Sequence, residues 1–229
     1  MSAPVRARAA LFDLDGTLLD TAPDLAAALT LLLAEEGREP LPLATVRPHV
    51  SAGAIAVVHT GFPEIERGSS EFEALRQRFL VHYGAALAVH SRLFPGFDDV
   101  LAMLEARSIP WGIVTNKAAW LTEPLLDELG LLTRAACVVS GDTLAVRKPH
   151  PDQLLLAAQR IGMPVADCVY VGDALRDVQA ARAAGMVPLG ARYGYLNPSE
   201  KPDTWPVAGW IEHPRDLLPW MQLELEAVS

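Results

Sequence analysis

The chain has 229 residues, of which 51% are hydrophobic and 21% charged, and its formal net charge is −9 at pH 7. This length and composition are typical of a soluble globular protein with a substantial core. An acidic balance without any lysine- or arginine-rich run argues against nucleic acid or an anionic membrane surface as a partner. No run of 18 apolar residues occurs and no apolar signal core precedes the first predicted strand, so we expect a cytoplasmic protein without a membrane partner.

Cysteine and histidine usage excludes two further classes. The only cysteines, Cys137 and Cys168, each lie inside an apolar run that predicts a strand, so we expect reduced, buried thiols and not a disulfide framework. The six histidines show no metal-ligand spacing, so a zinc site is not expected.

The first elements in chain order are a strand and a helix. The apolar run RAALFDL, residues 8–14, predicts a short buried strand. The segment TAPDLAAALTLLLAEEG, residues 21–37, then predicts a helix with an apolar face of leucines. Thr21 and Asp24 have the spacing of a capping box, and Gly37 is placed to end the helix.

Residues 43–92 predict helical fragments and no strand. They are broken at RPHVSAG (47–53) and TGFPEIERGSS (60–70), and they include a long candidate helix, SEFEALRQRFLVHYGAAL (70–87). From residue 97 to residue 191, helices and strands alternate. The predicted strands are 111–116, 136–140, 167–173 and 186–191, and a proline- and tryptophan-rich tail is expected to end in a short helix.

This alternation predicts an α/β fold with a doubly wound, mostly parallel sheet. A helical domain inserted after the first strand explains the long strand-free segment better than a loop of about 75 residues would. We therefore predict an α/β core of residues 1–19 and 93–229 and an inserted helical cap of residues 20–92.

Polar side chains follow the predicted strands, where ligands bind in open α/β sheets. They are Asp13 and Asp15, Thr115 and Asn116, Lys148, and Asp173 with Asp177 one helical turn later. Carboxylates that converge on one sheet edge repel each other unless a cation lies among them, and oxygen ligands suit Mg²⁺. A lysine and a threonine hydroxyl at the same edge suit a phosphate. Together they predict phosphoryl transfer with a carboxylate nucleophile.

Four motifs in order make the chain resemble the haloacid dehalogenase superfamily of phosphohydrolases. They are DLDGT (13–17), IVTNK (113–117), KPHP (148–151) and GDALRD (172–177), and the helical insert stands where that family carries a cap domain. Within the family, the whole chain resembles phosphoglycolate phosphatases. The strings VHSRLFPG, WGIVTNK and RYGYLNP resemble N-acetylmuramic acid 6-phosphate phosphatases.

The resemblance implies the roles of four catalytic residues. Asp13 would attack phosphorus and form an aspartyl-phosphate, while Asp15 would protonate the leaving oxygen and later activate water. Thr115 and Lys148 would hold the phosphoryl oxygens and offset their charge in the transition state.

The resemblance also implies a Mg²⁺ cofactor. Its ligands would be the Asp13 carboxylate, the backbone carbonyl of Asp15 and Asp173, with Asp177 acting directly or through water. Ala174 departs from the family pattern, which often has a hydroxyl or carboxylate there. That departure places an outer partner of the metal-bound water in doubt.

Further binding residues are expected around the phosphate and in the cap. Gly16 and Asn116 would give backbone donors to the phosphoryl oxygens. In the cap, Arg47 would pair with a substrate carboxylate, and Ser51 with Gly53 would let the backbone approach it. An ordinary solvated turn explains this cap segment equally well. The RYGY segment, residues 192–195, either lines the site entrance or packs the last strand.

The expected function is that of a magnesium-dependent phosphomonoesterase acting on a small carboxylated phosphometabolite, such as 2-phosphoglycolate or N-acetylmuramic acid 6-phosphate. The alternatives are a sugar-phosphate mutase or a non-catalytic phosphate-binding module on the same scaffold. A dehalogenase is disfavoured because its motif would lack the second aspartate of DLDGT. We expect a monomer or homodimer.

Overall fold

The structure is a computed structural model that describes residues 7–223, and its centre is a six-stranded parallel sheet. The strands of the chain are β1 (Ala9–Phe12), β2 (Leu19–Asp20), β3 (Arg92–Leu93), β4 (Trp111–Val114), β5 (Cys137–Val139), β6 (Cys168–Gly172), β7 (Val187–Ala191) and β8 (Gly209–Ile211). The large sheet has the order β5-β4-β1-β6-β7-β8 with every neighbouring pair parallel. This confirms the predicted α/β fold and places the carboxyl end of β1 at the centre of one sheet edge.

Helices cover both faces of this sheet and fill the segment between β2 and β3. They are α1 (Ala22–Glu35), α2 (Leu43–Val46), α3 (Ala54–Gly61), α4 (Ser70–Gly84), α5 (Phe97–Ala106), α6 (Ala119–Glu128), α7 (Asp152–Arg160) and α8 (Leu175–Ala184). Short 3-10 helices occur at Arg47–His49, Val165–Asp167, Pro198–Glu200, Pro202–Thr204 and Pro214–Met221. Within residues 7–223, every helix is too short or too polar to cross a membrane.

The burial of β1 explains its unbroken apolar sequence. Side chains of a strand alternate between faces, so Ala10 and Phe12 join one apolar cluster while Ala9 and Leu11 join another. Phe12 makes an edge-on contact with Phe97 of α5, with ring centroids 5.3 Å apart. Because both faces are covered, no polar residue interrupts the strand before Asp13.

The four helices α1 to α4 lie between two short strands that pair with each other. β2 and β3 are antiparallel, with Leu19 opposite Leu93 and Asp20 opposite Arg92. The prediction of no strand in residues 43–92 is therefore wrong at Arg92, because a strand this short carries no detectable alternation. The division into a core of residues 1–19 and 93–229 and a cap of residues 20–92 stays a prediction. It is supported by the pairing of β2 with β3, where the chain passes into and out of the helical segment.

The capping box predicted at the start of α1 is wrong. Thr21 makes no side-chain hydrogen bond to the helix; its Oγ1 donates to Asp15 Oδ1 at 2.6 Å. Asp24 accepts from the backbone N–H groups of His90 (2.9 Å) and Ser91 (2.8 Å). Both side chains thus bind groups outside their own helix, at the points where the chain enters and leaves the helical segment.

Other boundaries follow the predictions more closely. Gly37 has a φ of 65°, and its N–H donates to the Ala34 carbonyl just after α1 ends. The long helix predicted over 70–87 ends at Gly84, and the tail contains β8 before its predicted short helix, which is the 3-10 helix Pro214–Met221. The last residues of that predicted tail, 224–229, lie outside the described residues.

The two cysteines are buried and free, as predicted. Burial raises the pKa of both the Cys137 and the Cys168 thiol to about 11. Neither thiol is therefore ionised at neutral pH.

Candidate active site

Asp13 stands directly after β1, at the centre of the sheet edge. Its N–H continues the pairing by donating to the Val171 carbonyl at 2.9 Å. Its carboxylate oxygen Oδ1 accepts from the Leu14 N–H at 2.7 Å and lies 2.9 Å from Lys148 Nζ. Among residues 7–223, no hydrogen-bond donor contacts Oδ2. One oxygen of Asp13 is thus held in place while the other is free to react.

Lys148 is buried beneath this carboxylate. Its Nζ lies 2.8 Å from Asp177 Oδ1 and donates to the Val114 carbonyl (2.9 Å) and the Tyr170 hydroxyl (2.7 Å). The Tyr170 hydroxyl itself donates to the Val114 carbonyl at 2.7 Å. This network fixes one buried positive charge between two carboxylates.

Asn116 and Gln153 fix the backbone that carries Lys148. Asn116 Oδ1 accepts from the Lys148 N–H at 3.1 Å, and its Nδ2 donates to the Lys148 carbonyl at 2.9 Å. Gln153 Oε1 accepts from the same N–H at 3.0 Å. The side chain of Asn116 thus joins the ends of β4 and the Lys148 loop, a contact that the predicted role for its backbone does not include.

Asp13, Asp173 and Asp177 converge at the site. One carboxylate oxygen from each lies within 4.8 Å of the others, and all three residues are buried. Burial and the charges of the other two carboxylates raise the pKa of Asp173 to about 7, and burial also raises that of Asp13 against the attraction of Lys148. Asp173 Oδ1 is buried and has no hydrogen-bond partner among residues 7–223. Three carboxylates with an unpartnered oxygen fit a hard divalent cation such as Mg²⁺.

Asp15 is held by two donors that sequence reasoning did not connect with it. Its Oδ1 accepts from Thr21 Oγ1 (2.6 Å) and from Lys117 Nζ (2.9 Å). Lys117 also donates to the Tyr83 hydroxyl at 2.7 Å, and its side chain is only 6% exposed. Burial opposes the charge on Lys117, but the attraction of Asp15 and Tyr83 outweighs it and raises the lysine pKa.

Lys117 is the functional residue that the sequence analysis missed. The available signal was its position in IVTNK, two residues after Thr115 and therefore at the same sheet edge. Thr115 is buried there, and its Oγ1 accepts from the Lys117 N–H at 3.1 Å. That contact leaves the Thr115 hydroxyl proton available to a ligand.

Gly16 and Tyr195 enclose Asp173 from the other side. Gly16 has a φ of 83°, and a Cβ there would lie 2.1 Å from Asp173 Oδ2. The Tyr195 N–H donates to the same oxygen at 2.8 Å, while its hydroxyl donates to Asp20 Oδ1 at 2.6 Å and accepts from the Ala22 N–H. The RYGY segment therefore supports the site through Tyr195 and also ties it to the start of α1.

The cap segment reaches the site through Ser51. Its Oγ donates to Asp173 Oδ2 at 2.5 Å, and its carbonyl accepts from the Arg176 guanidinium. Gly53, with a φ of 82°, follows in the same loop and lines the cleft described next. Ala174 presents no side-chain donor, and its N–H donates to Asp177 Oδ2 at 3.0 Å.

Arg47, the residue predicted to pair with a substrate carboxylate, has a partner within the protein. Its guanidinium pairs with Asp20 at 2.7 Å and lies 5.1 Å from the centre of the Tyr195 ring. It is not among the residues that line the cleft. The structure thus places Arg47 at the junction with α1, where its charge is paired with Asp20, and its pairing with a substrate carboxylate stays a prediction.

These side chains surround a cleft of about 730 Å³ between the sheet edge and the helical segment. Asp13, Asp15, Thr115 and Asn116 line it from the sheet; Ser51 to Ile55 line it from the loop before α3; and one face of α4 contributes Glu73, Arg76, Gln77, Leu80 and Tyr83. Lys117, Trp120, Arg147 and Arg176 also line it. A volume of this size encloses a small organic ligand.

The fold and this site define a hydrolase. The chain belongs to the family of haloacid dehalogenase-like hydrolases, whose family model matches residues 7–185. It is 45% identical over 207 residues to a phosphoglycolate phosphatase from Xylella fastidiosa, covering 90% of each chain. It is 41% identical over 213 residues to an N-acetylmuramic acid 6-phosphate phosphatase from Pseudomonas putida, covering 93% of this chain and 95% of the other.

A solved structure has the same fold along nearly its whole length. The crystal structure of a predicted phosphoglycolate phosphatase from Haemophilus somnus superposes with a TM-score of 0.80 at 27% identity. The match covers 93% of this chain and 97% of the other. The expected membership of the haloacid dehalogenase superfamily is thereby confirmed.

Proposed function

We propose that this hydrolase is a magnesium-dependent phosphomonoesterase that acts on a small carboxylated phosphometabolite through an aspartyl-phosphate. The observation that carries the proposal is the state of Asp13: one carboxylate oxygen is held by Lys148 and a backbone N–H, and the other faces the cleft without a donor among residues 7–223. A fixed carboxylate beside a buried cation is an activated nucleophile for phosphorus.

In the first step, Asp13 Oδ2 attacks phosphorus and the bond from phosphorus to the leaving oxygen breaks. The leaving oxygen takes its proton from the carboxyl group of Asp15, whose other oxygen is held by Thr21 and Lys117. Because one carboxyl oxygen is fixed, the other is held in an orientation suited to proton transfer.

In the second step, Asp15 accepts a proton from a water molecule, and the resulting hydroxide attacks the phosphorus of the aspartyl-phosphate. The bond from Asp13 to phosphorus breaks, inorganic phosphate leaves, and Asp13 is regenerated. During both steps, Thr115 and Lys148 donate to the phosphoryl oxygens where negative charge accumulates.

Asp13, Asp173 and Asp177, with the backbone carbonyl of Asp15, would hold Mg²⁺. When bound, the cation supplies positive charge that offsets the phosphoryl oxygens and the three carboxylates. Ser51 and the Tyr195 N–H support this role because both donate to Asp173 Oδ2 and leave Oδ1 for the metal.

The substrate class rests on the relatives and on the charges of the cleft. Phosphoglycolate phosphatases and N-acetylmuramic acid 6-phosphate phosphatases are both named after phosphate esters that carry a carboxylate. Arginines 76, 147 and 176 line the cleft, and Arg147, which makes no ion pair within residues 7–223, suits a second anionic group. A cytoplasmic location and a monomeric or homodimeric state stay predictions.

Phosphate release tests the proposal. Purified protein is assayed with 2-phosphoglycolate, N-acetylmuramic acid 6-phosphate and p-nitrophenyl phosphate, with Mg²⁺ and with EDTA. We expect release only with Mg²⁺, and a loss of at least about 1,000-fold in Asp13→Asn, which keeps the size of the side chain but removes the nucleophile. Acid quenching with radiolabelled substrate should leave label on the wild-type chain and none on Asp13→Asn.

Two results would contradict the proposal. One is the absence of Mg²⁺-dependent phosphate release from all three esters, which would favour a phosphate-binding module. The other is full activity in Asp13→Asn. Isomerised sugar phosphate in place of free phosphate would instead indicate a mutase.

A further inference from the structure

We infer that the cleft selects a sugar-sized leaving group bearing a carboxylate, with Trp120 packed against the sugar and Arg147 bound to the carboxylate. This inference rests on the proposed function and narrows its substrate class from small phosphorylated acids to sugar-acid phosphates. Three observations carry it: the volume of the cleft, the exposed apolar side chains on its walls and the guanidinium of Arg147, which has no partner within the described residues 7–223.

The cleft volume exceeds what a two-carbon substrate fills. If each non-hydrogen atom takes at most the about 30 Å³ of a liquid water molecule, 2-phosphoglycolate with its roughly nine such atoms fills at most about 270 Å³. An N-acetylated sugar-acid phosphate of roughly 24 atoms fills at most about 720 Å³ by the same measure. The cleft has about 730 Å³, so the larger molecule fits within it and the smaller one leaves most of it to solvent.

The walls of the cleft carry apolar side chains that lack a cover. Trp120, in the first turn of α6, is 53% exposed, and Ile55, in the first turn of α3, is 47% exposed. A Cβ on Gly84 would lie 3.0 Å from Trp120 Cζ3, so the indole packs over the end of α4. An indole held against a helix presents a rigid flat surface, which suits the apolar face of a sugar ring.

Arg147 is the cation of the cleft with unused donors. The other three cations that line it have protein partners: Arg76 with Glu73, Lys117 with Asp15, and Arg176 with the Ser51 carbonyl. The Arg147 side chain is exposed and makes no hydrogen bond or ion pair within residues 7–223. A planar guanidinium with free donors binds a carboxylate in a bidentate manner.

The positions of Arg147 and Trp120 separate the carboxylate from the phosphate. Arg147 directly precedes Lys148, but Lys148 is buried below Asp13 while Arg147 is exposed, so the carboxylate site lies closer to solvent. The Ala119 N–H donates to Asp142 Oδ1 at 2.8 Å, which places the start of α6 beside the loop that carries Arg147. A substrate bound at both Asp13 and Arg147 therefore extends from the buried end of the cleft towards solvent, and a sugar ring would occupy the space between its phosphate and its carboxylate.

The test compares four esters by kcat/KM: N-acetylmuramic acid 6-phosphate, N-acetylglucosamine 6-phosphate without the carboxylate, 2-phosphoglycolate and p-nitrophenyl phosphate. We expect wild type to prefer the first over 2-phosphoglycolate by at least about 10-fold. Arg147→Ala should lower kcat/KM for the first by about 10- to 100-fold, mainly through KM, and change that for N-acetylglucosamine 6-phosphate less than about 3-fold. Trp120→Ala should lower kcat/KM for both sugar esters, and Trp120→Phe should keep most of the wild-type kcat/KM.

The outcomes separate this inference from the proposed function. A wild-type preference for 2-phosphoglycolate, or equal losses on all four esters in Arg147→Ala, overturns the inference and leaves the phosphatase intact. No Mg²⁺-dependent release from any ester overturns both. Because both side chains are exposed, the variants should fold, and thermal melts equal to wild type confirm that a change in KM reports on binding.

Discussion

Replacing Gly16 by alanine tests how tightly the nucleophile loop packs on Asp173. The new Cβ would lie 2.1 Å from Asp173 Oδ2, well inside any contact distance, and 2.7 Å from the Tyr195 ring. The backbone must also keep its φ of 83°, which costs alanine about 1–2 kcal/mol. The carboxylate has to move, and it then loses the hydrogen bonds that Ser51 and Tyr195 donate to the clashing oxygen.

Gly53→Ala is the control because it also introduces a Cβ at a positive φ. Gly53 has a φ of 82° and a ψ of −175°, and among residues 7–223 no atom lies within 4 Å of a Cβ placed there. Both variants lose the same unfolded-state entropy and place alanine at a positive φ, and only Gly16→Ala adds a clash. Crowding a packed site costs about 1–3 kcal/mol, and each lost hydrogen bond to a charged group costs about 1.5–3 kcal/mol. We expect Gly16→Ala to be less stable than Gly53→Ala by at least about 4 kcal/mol, because crowding and two lost hydrogen bonds add together.

Urea unfolding of both variants measures this difference, and titration calorimetry with Mg²⁺ measures its effect on the site. Gly16→Ala should bind Mg²⁺ at least about 10-fold more weakly than wild type, because displacing an oriented ligand lowers metal affinity by this order. Equal destabilisation of the two variants would refute the reasoning, since it would mean that Asp173 yields to the methyl group at no cost.

Three further predictions concern side chains around the site and in the core. Lys117→Met leaves Asp15 without its buried cation and should lower the free energy of unfolding by about 3 kcal/mol. In an Asp15→Asn background, the same substitution should lower it much less. Urea unfolding of the wild type, both single variants and the double variant measures this difference as a double-mutant cycle. Arg47→Ala should lower the free energy of unfolding by less than about 1 kcal/mol, because its ion pair with Asp20 is partly exposed. It should lower kcat/KM equally for esters with and without a carboxylate. A larger loss for the carboxylated esters would show that Arg47 binds the substrate. Cys137 and Cys168 should resist a thiol reagent at pH 8 until the protein unfolds. The pKa of both thiols is about 11 in the folded protein, above the value in the unfolded chain. Between these two pKa values the native state binds more protons than the unfolded state. The free energy of unfolding, measured with urea, should therefore fall as the pH rises above about 8.5.

The residues that meet at the sheet edge can be predicted from the sequence alone. Asp13, Thr115 and Asp173 each follow a buried apolar run, and parallel strands end at the same edge whatever their separation along the chain. Lys148 belongs with them because its loop follows β5 in the same alternation. Strand ends are local signals, so order and periodicity sufficed to bring these four together.

The partner of each polar side chain, in contrast, depends on how distant segments pack together. Asp24 has capping-box spacing with Thr21 but binds the backbone at His90 and Ser91, more than 60 residues away. Lys117 donates hydrogen bonds to the Asp15 carboxylate and to the hydroxyl of Tyr83, which lies on a helix of the inserted segment. These choices depend on where helices pack.

The same reason explains Arg47 and Arg147. In the sequence, both are arginines in polar segments, and Arg47 is the one that the loop pattern favours. In the structure, Arg47 is neutralised by Asp20 and packs on Tyr195, whereas Arg147 lines the cleft with its donors unused within residues 7–223. Whether an arginine is paired within the protein or free to bind a ligand depends on its neighbours in space, which come from segments far apart in the chain.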